Sequence, residues 1–201
     1  MIVGIVDYEA GNIRSVERAL GFLGVSCVRS NRGEDLRTAD KLIFPGVGEA
    51  FSAMEALTRC GLDSFLKDYA ASGRDLLGIC LGSQIILDSS EERNTACLGI
   101  IPGKALRFMP RPGLKIPHMG WNQVHVSGSH PLFKGIPEDS SFYFVHSYYP
   151  VPASDDLAVG TTEYGIPFAS AFGRDNVYAC QFHPEKSGPR GLQLLRNFLE
   201  M

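Results

Sequence analysis

The period of the apolar positions changes along the chain. Ile2 to Val6 is a short apolar run that stops at Asp7, the pattern of a strand buried on both faces. After the loop Tyr8 to Gly11, residues Ile13, Val16, Ala19, Leu20 and Leu23 recur at helical spacing. Asn12 stands where an N-cap belongs and Gly24 where a helix stops. Ser26 to Arg29 predicts a second strand, and Lys41 to Phe44 a third that runs into Pro45-Gly46-Val47-Gly48. Phe51, Met54 and Leu57 predict a helix closed by Gly61, and Phe65, Leu66 and Tyr69 a further one, before the apolar run Leu76 to Ile79. Strands alternating with helices imply right-handed crossovers and a parallel sheet, and such sheets bind ligands beyond the carboxyl ends of their strands.

The second half reads differently. Alternating and aromatic-rich segments separated by Pro and Gly predict strands at Lys104 to Phe108, Gln123 to Val126, Ser141 to Val145, Leu157 to Gly160, Phe168 to Phe172 and Val177 to Gln181. A long helical stripe returns only at Gly188 to Glu200, through Leu192, Leu195 and Leu199. No repeat, low-complexity tract or linker separates the halves. The expected architecture is one α/β domain over residues 1–201, with a mostly parallel central sheet flanked by helices and mixed, antiparallel strands in the second half.

Composition narrows the function. The formal charge of -3 arises from 22 acidic and 19 basic residues spread along the chain, so no basic stripe offers itself to nucleic acid or an anionic membrane. The 5 cysteines are scattered, without a Cys-x-x-Cys pair, unlike a disulfide framework or a zinc knuckle. A reducing cytoplasm is the expected compartment. The opening apolar run lacks a basic flank and is too short for a signal peptide, and no run is long enough to cross a bilayer, so a soluble, unprocessed protein is expected. His118, His125, His130 and His146 have no close metal-ligand spacing, and neither a metal nor a cofactor is expected.

Two segments carry candidate chemistry. In Gly78-Ile79-Cys80-Leu81-Gly82 the apolar pattern switches from a run to helical spacing, so Cys80 sits where a strand turns sharply into a helix. The flanking glycines remove Cβ atoms that would block such a turn, as in the Gly-x-Ser-x-Gly elbow. The thiol would stand at the sheet edge beside a helix N-terminus, whose positive end favours the nucleophilic thiolate. The second segment, Cys180-Gln-Phe-His183-Pro-Glu185, follows an apolar strand. Residues two apart on an extended segment point the same way, and Pro184 favours an extended His183, so His183 and Glu185 can share one side. Alone, Cys80 reads equally as a buried structural cysteine, and His-Pro-Glu more often as a loop. Together they form a Cys-His-Glu triad, with a carboxylate orienting a histidine that serves a thiolate.

These residues resemble the class I, triad-type glutamine amidotransferases. Asp7-Tyr-Glu-Ala-Gly-Asn12, Arg14-Ser-Val16, Pro45-Gly-Val-Gly48, Ile116-Pro-His-Met-Gly-Trp-Asn122, Tyr143-Phe-Val-His-Ser-Tyr-Tyr149 and Gln181 to Gly188 are similar, within that superfamily, to the glutaminase subunits of imidazole glycerol phosphate synthases. Two positions depart from the pattern: Ser83, where methionine is common, and Glu9, where glycine is frequent. The resemblance implies that Cys80 attacks the side-chain amide of L-glutamine, that His183, oriented by Glu185, protonates the departing ammonia, and that water hydrolyses the thioester. It implies oxyanion donors at Leu81 and at Val47 or Gly48, glutamine contacts from Gly46, Gln84, Ser147 and Tyr148, and a heterodimer with a barrel-shaped cyclase subunit facing Met119, Trp121 and Lys186. The ammonia would serve that cyclase in histidine biosynthesis. The rival readings are a glutaminase feeding pyridoxal phosphate, anthranilate or purine nucleotide synthesis, and a non-catalytic regulatory module.

Overall fold

The computed structural model describes residues 1–8, 12–126 and 128–201. In the first half, β1 (Ile2–Val6), β2 (Ser26–Ser30), β3 (Lys41–Gly46) and β4 (Leu76–Cys80) alternate with α1 (Ile13–Phe22), α2 (Gly33–Leu36), α3 (Ala50–Cys60) and α4 (Leu62–Ala71). A short helix, α5 (Leu81–Ile85), follows β4 without a loop. Then come β5 (Ser89–Ser90), β6 (Thr95–Ala96), β7 (Gly103–Arg107), β8 (His118–Val126), β9 (Ser140–His146), β10 (Tyr148–Pro152), β11 (Ala158–Glu163), β12 (Pro167–Arg174) and β13 (Val177–Cys180), and the terminal helix α6 (Gly188–Glu200).

Nine strands form the central sheet in the order β2-β1-β3-β4-β13-β12-β11-β8-β9. Pairing is parallel from β2 to β13 and antiparallel from β13 to β9. This is the expected α/β architecture, including its change of character in the second half. The inner parallel strands β1, β3 and β4 are buried on both faces, as their apolar runs require, whereas β2 is a partly exposed edge strand. Along β3, Leu42 and Phe44 pack into one core cluster and Ile43 into the other; along β4, Leu76 faces the first and Leu77 and Ile79 the second. The register places Gly46 beside Cys80 and Ile79 beside Cys180, so the carboxyl ends of β3, β4 and β13 emerge side by side.

A second, smaller sheet has the order β10-β7-β5-β6. Strand β10 escapes a period-two reading because it carries Pro150 and Pro152, which lack the ladder donor. It is tolerated because β10 is an edge strand paired only with β7. Strand β8 starts at His118, well before the expected Gln123, because its amphipathy is inverted there. His118 is buried, whereas Met119 and Trp121 on the opposite face are 64% and 60% exposed. Among the described residues no helix is long and apolar enough to cross a membrane.

Candidate active site

Cys80 has φ 54 and ψ −108, a left-handed conformation that a non-glycine residue adopts only when its surroundings force it. Local packing supplies that force. A Cβ on Gly82 would collide with the Phe44 carbonyl of β3, and one on Gly78 would lie 3.0 Å from the Gly82 carbonyl oxygen. Ser83 is fully buried, and its hydroxyl donates to the Cys80 carbonyl at 2.6 Å, fastening the elbow from beneath. The departure at Ser83 is therefore accommodated by a hydrogen bond; Glu9 lies outside the described residues. Helix α5 is only 5 residues long, so its dipole is a smaller influence on the sulfur than a full helix would be.

His183 and Glu185 meet as expected, but by a different geometry. His183 is extended, at φ −101 and ψ 94, whereas Pro184–Lys186 form a single 3-10 turn rather than continuing the strand. That turn brings Glu185 Oε1 within 2.8 Å of His183 Nδ1, with both side chains 1% exposed. Asn12 does occupy the N-cap position of α1, yet its side chain caps nothing. It reaches across 173 residues instead and donates from Nδ2 to the same Glu185 oxygen at 2.5 Å. The Ser187 hydroxyl ties the turn to β9, donating to the His183 carbonyl at 2.6 Å and accepting from Tyr143 N–H at 2.9 Å.

Burial by itself would depress His183. The charge of a Cys80 thiolate and contact with it, reinforced by Glu185, outweigh burial and push the imidazole up to about 10, so the ring is held as an imidazolium. Nε2 has no partner of full hydrogen-bond geometry among the described residues, and both the charge of Cys80 and a looser side-chain contact with it act on the ring. Cys180, one strand away, is pushed well up, first by burial and then by Glu185 and Cys80, and stays a thiol. Tyr8 is a further buried neighbour that composition and spacing did not single out. Its hydroxyl is unpartnered among the described residues and lies where a Cβ on Gly46 would be. Burial and the Cys80 charge both raise its pKa.

A cavity of about 270 Å³ opens beside the sulfur. Val47, Gly48, Leu81, Gln84, Ser147 and Tyr148 all line it with Cys80, while Gly46 is packed beneath, against Leu81 and Gly82. Gly48 has φ 103, a conformation that favours glycine. Glu92 and His146 also line the cavity and were not foreseen. Glu92 accepts the Ala50 N–H at 2.7 Å, and burial raises its pKa. It lies in an irregular polar stretch with no periodic signal. His146 belongs to a buried chain with one consistent direction: Nδ1 donates to the Tyr148 carbonyl at 2.7 Å, so Nε2 accepts from His118 Nδ1 at 2.9 Å, and His118 Nε2 accepts from Asn122 at 3.2 Å.

Of the three expected partner-facing residues, Met119 is exposed on β8 opposite Val145 of β9. The Trp121 ring meets Tyr143 edge-on at 6.1 Å, and Tyr143 in turn lies 6.5 Å from the His183 ring. Lys186 is exposed on the turn that carries Glu185.

A nucleophile elbow on a parallel strand, faced by a buried His-Glu pair at the end of the neighbouring strand, defines a class of cysteine-dependent amidotransferases. The family model for class-I glutamine amidotransferases matches residues 4–201, and the chain belongs to that family of enzymes. Its relatives include the imidazole glycerol phosphate synthase subunit HisH of Maridesulfovibrio salexigens, 48% identical over 99% of this chain and 96% of that protein. The HisH protein from Methanosarcina acetivorans is 46% identical over 98% of this chain and 97% of its own length. Among solved structures, a putative GMP synthase component from Thermoplasma acidophilum superposes with a TM-score of 0.77 at 22% identity, covering 100% of this chain and 92% of that one. PurLQS from Thermotoga maritima gives 0.76 at 20%, over 99% and 97% of the two chains, and both show the shared fold.

Proposed function

We propose that this chain is the glutaminase subunit of an imidazole glycerol phosphate synthase, hydrolysing L-glutamine and passing ammonia to a cyclase subunit in histidine biosynthesis. The observation that carries the chemistry is the cavity joining Cys80 to Gln84 and Glu92, backed by the buried His183–Glu185 pair. Near-full-length similarity to HisH subunits supports the choice of pathway over other triad glutaminases.

In this reading the Cys80 thiolate attacks the side-chain amide carbon of glutamine, and the carbonyl oxygen becomes an oxyanion held by Leu81 N–H and a donor from Gly46-Val47-Gly48. The His183 imidazolium gives its proton to the leaving nitrogen, ammonia departs and a γ-glutamyl thioester remains. His183, now neutral, takes a proton from water as it attacks the thioester; glutamate leaves and the thiolate is restored. Glu185 and Asn12 keep the imidazole oriented throughout. Gln84 has committed its nitrogen to the Tyr148 carbonyl and to Gln181 Oε1, at 2.9 and 2.8 Å, which leaves its oxygen as an acceptor. With the Glu92 carboxylate, that acceptor suits the α-ammonium of an amino acid and leaves the α-carboxylate to the backbone around Ser147 and Tyr148. Met119, Trp121 and Lys186 supply the apolar anchors and charge of a cyclase-facing surface.

One missing oxyanion donor costs about 3 to 4 kcal/mol, roughly a hundred- to thousand-fold in rate. The lone chain is therefore expected to hydrolyse glutamine very slowly, and the cyclase with its ribonucleotide substrate to raise the rate by orders of magnitude. Glutamate release, measured with and without both, tests this, with Cys80→Ala as the inactive control. Full activity in the lone chain would overturn the gated reading. Equal activation by an unrelated synthase would overturn the choice of partner.

A further inference from the structure

The nucleophile has a polar neighbour that the triad does not account for. Gln181 is fully buried at the end of β13, and its Nε2 lies 3.7 Å from Cys80 Sγ, within reach of a sulfur-accepted hydrogen bond. The direction of that amide is not free. Gln84 Nε2 donates to two acceptors, the Tyr148 carbonyl at 2.9 Å and Gln181 Oε1 at 2.8 Å, so the Gln181 oxygen is occupied and its NH₂ must face the sulfur. The Tyr148 carbonyl is itself pinned by His146 Nδ1 at 2.7 Å. Besides His183, the Val145 carbonyl lies 3.9 Å from Sγ; it can only accept and so rewards the neutral S–H. The two neighbours thus favour opposite protonation states of Cys80.

We propose that Gln181 is a further catalytic residue, its side-chain N–H held against the sulfur by Gln84 so that it stabilises the thiolate over the thiol. The inference rests on Cys80 being the nucleophile. A donor aimed at the charged form favours that form, and inside a buried site, with little water to compete, the preference is larger than at a surface. Among the described residues, His183 on the turn after β13, Tyr8 after β1 and Cys180 on β13 are coupled electrostatically to Cys80, and Glu92 and His146 line the same cavity. Changing Gln181 removes none of these groups. The assignment also gives Gln84 a second task besides the substrate contact, as the residue that positions Gln181.

The test is the pH dependence of Cys80 alkylation by iodoacetamide in the full chain, a readout that needs neither glutamine nor the cyclase. Gln181→Met keeps the length and removes the donor; the alkylation midpoint is expected to rise by about one pH unit, with roughly a tenfold slower rate below it. Gln181→Glu keeps an acceptor for Gln84 but turns an oxygen toward the sulfur, and its midpoint is expected to rise further. Gln84→Met, which releases the Gln181 amide, is expected to give a smaller rise, about threefold in rate. An unchanged midpoint in Gln181→Met with the melting temperature of the wild type overturns the proposal. If that variant fails to fold, an unchanged midpoint in Gln181→Glu does the same. A wild type whose Cys80 resists a glutamine-mimicking electrophile would instead remove the nucleophile assignment itself, a result distinguishable from either.

Discussion

The Cys80 elbow and the Gly46–Gly48 segment border the same cavity, but they are held in different ways. At the elbow the strained residue is clamped by glycine contacts against β3, by the Ser83 hydroxyl on its own carbonyl, and by a sulfur environment drawn from β9 and β13. Beyond Gly46 the second segment leaves the sheet, Gly48 is exposed at φ 103 with open space where a Cβ would point, and the buried Tyr8 hydroxyl beneath it has no partner among the described residues. The contrast teaches that the cysteine elbow is built by folding, whereas the segment proposed to supply the second oxyanion donor has a conformation that the fold constrains much less. Under the proposed function, control of the reaction would fall at Gly46–Gly48.

The same substitution on the two sides should separate them most clearly. Gly82→Ala drives a Cβ into the Phe44 carbonyl and is expected to cost about 3 kcal/mol of stability or to prevent folding. Gly48→Ala meets no atoms and is expected to cost only about 1 kcal/mol, from its positive φ. Urea unfolding of both variants measures this, and equal losses would mean that the loop is as tightly built as the elbow. Next in size is Asn12→Ala. Releasing one of the two donors on Glu185 Oε1 is expected to lower glutaminase turnover in the cyclase complex about tenfold, by analogy with loss of an outer-shell orienting group. Turnover at the wild-type level would show that His183 alone orients the carboxylate.

A pH titration sharpens the comparison between His183 and the histidines of β8 and β9. Burial holds His118 down to about 4 and His146 down to about 3, the latter further lowered by His118 and His183. Both folded values lie below the ordinary 6.5, so their contribution to stability is full above about pH 6.5 and is lost as pH falls through 4 toward 3. His183 has the opposite sign: with a folded value of about 10, its contribution is full below 6.5 and is lost as pH rises through 10. Melting temperatures are expected to fall at both ends, and His118→Gln to flatten the acid limb by roughly half without touching the alkaline one. An unchanged acid limb would remove His118 from the account. The smallest effect is expected from Tyr8→Phe. Deleting a buried hydroxyl with no partner among the described residues should leave the resting protein as stable as before or more stable by up to about 1 kcal/mol, and a clear loss in urea unfolding would reveal a partner for that hydroxyl.

The alternation of β and α elements in the first half was readable because each element's burial follows its own periodicity: β4 and the terminal helix α6 fall almost where the apolar pattern puts them. The triad pair was readable for the same reason, since each member follows an apolar strand. Where polar and apolar faces were exchanged, the pattern misled. The start of β8 was lost because its buried face carries His118 and its exposed face Met119 and Trp121. Asn12 looked like a cap, since its position is that of a cap and nothing local reveals a carboxylate 173 residues away. Gln181 did leave a signal, as a polar residue at the end of a strand otherwise read as buried.

From the amino-acid order alone came the class of fold, the sharp turn at Cys80 and the pairing of His183 with Glu185, because these depend on spacing within short segments. Only the tertiary structure decided what each side chain faces: Asn12 on Glu185, Gln84 on Gln181, Gln181 on the sulfur, Glu92 in the cavity. Those contacts join elements far apart in the chain, through strand order and register. A buried polar atom takes whatever partner the packing of the whole sheet delivers to it.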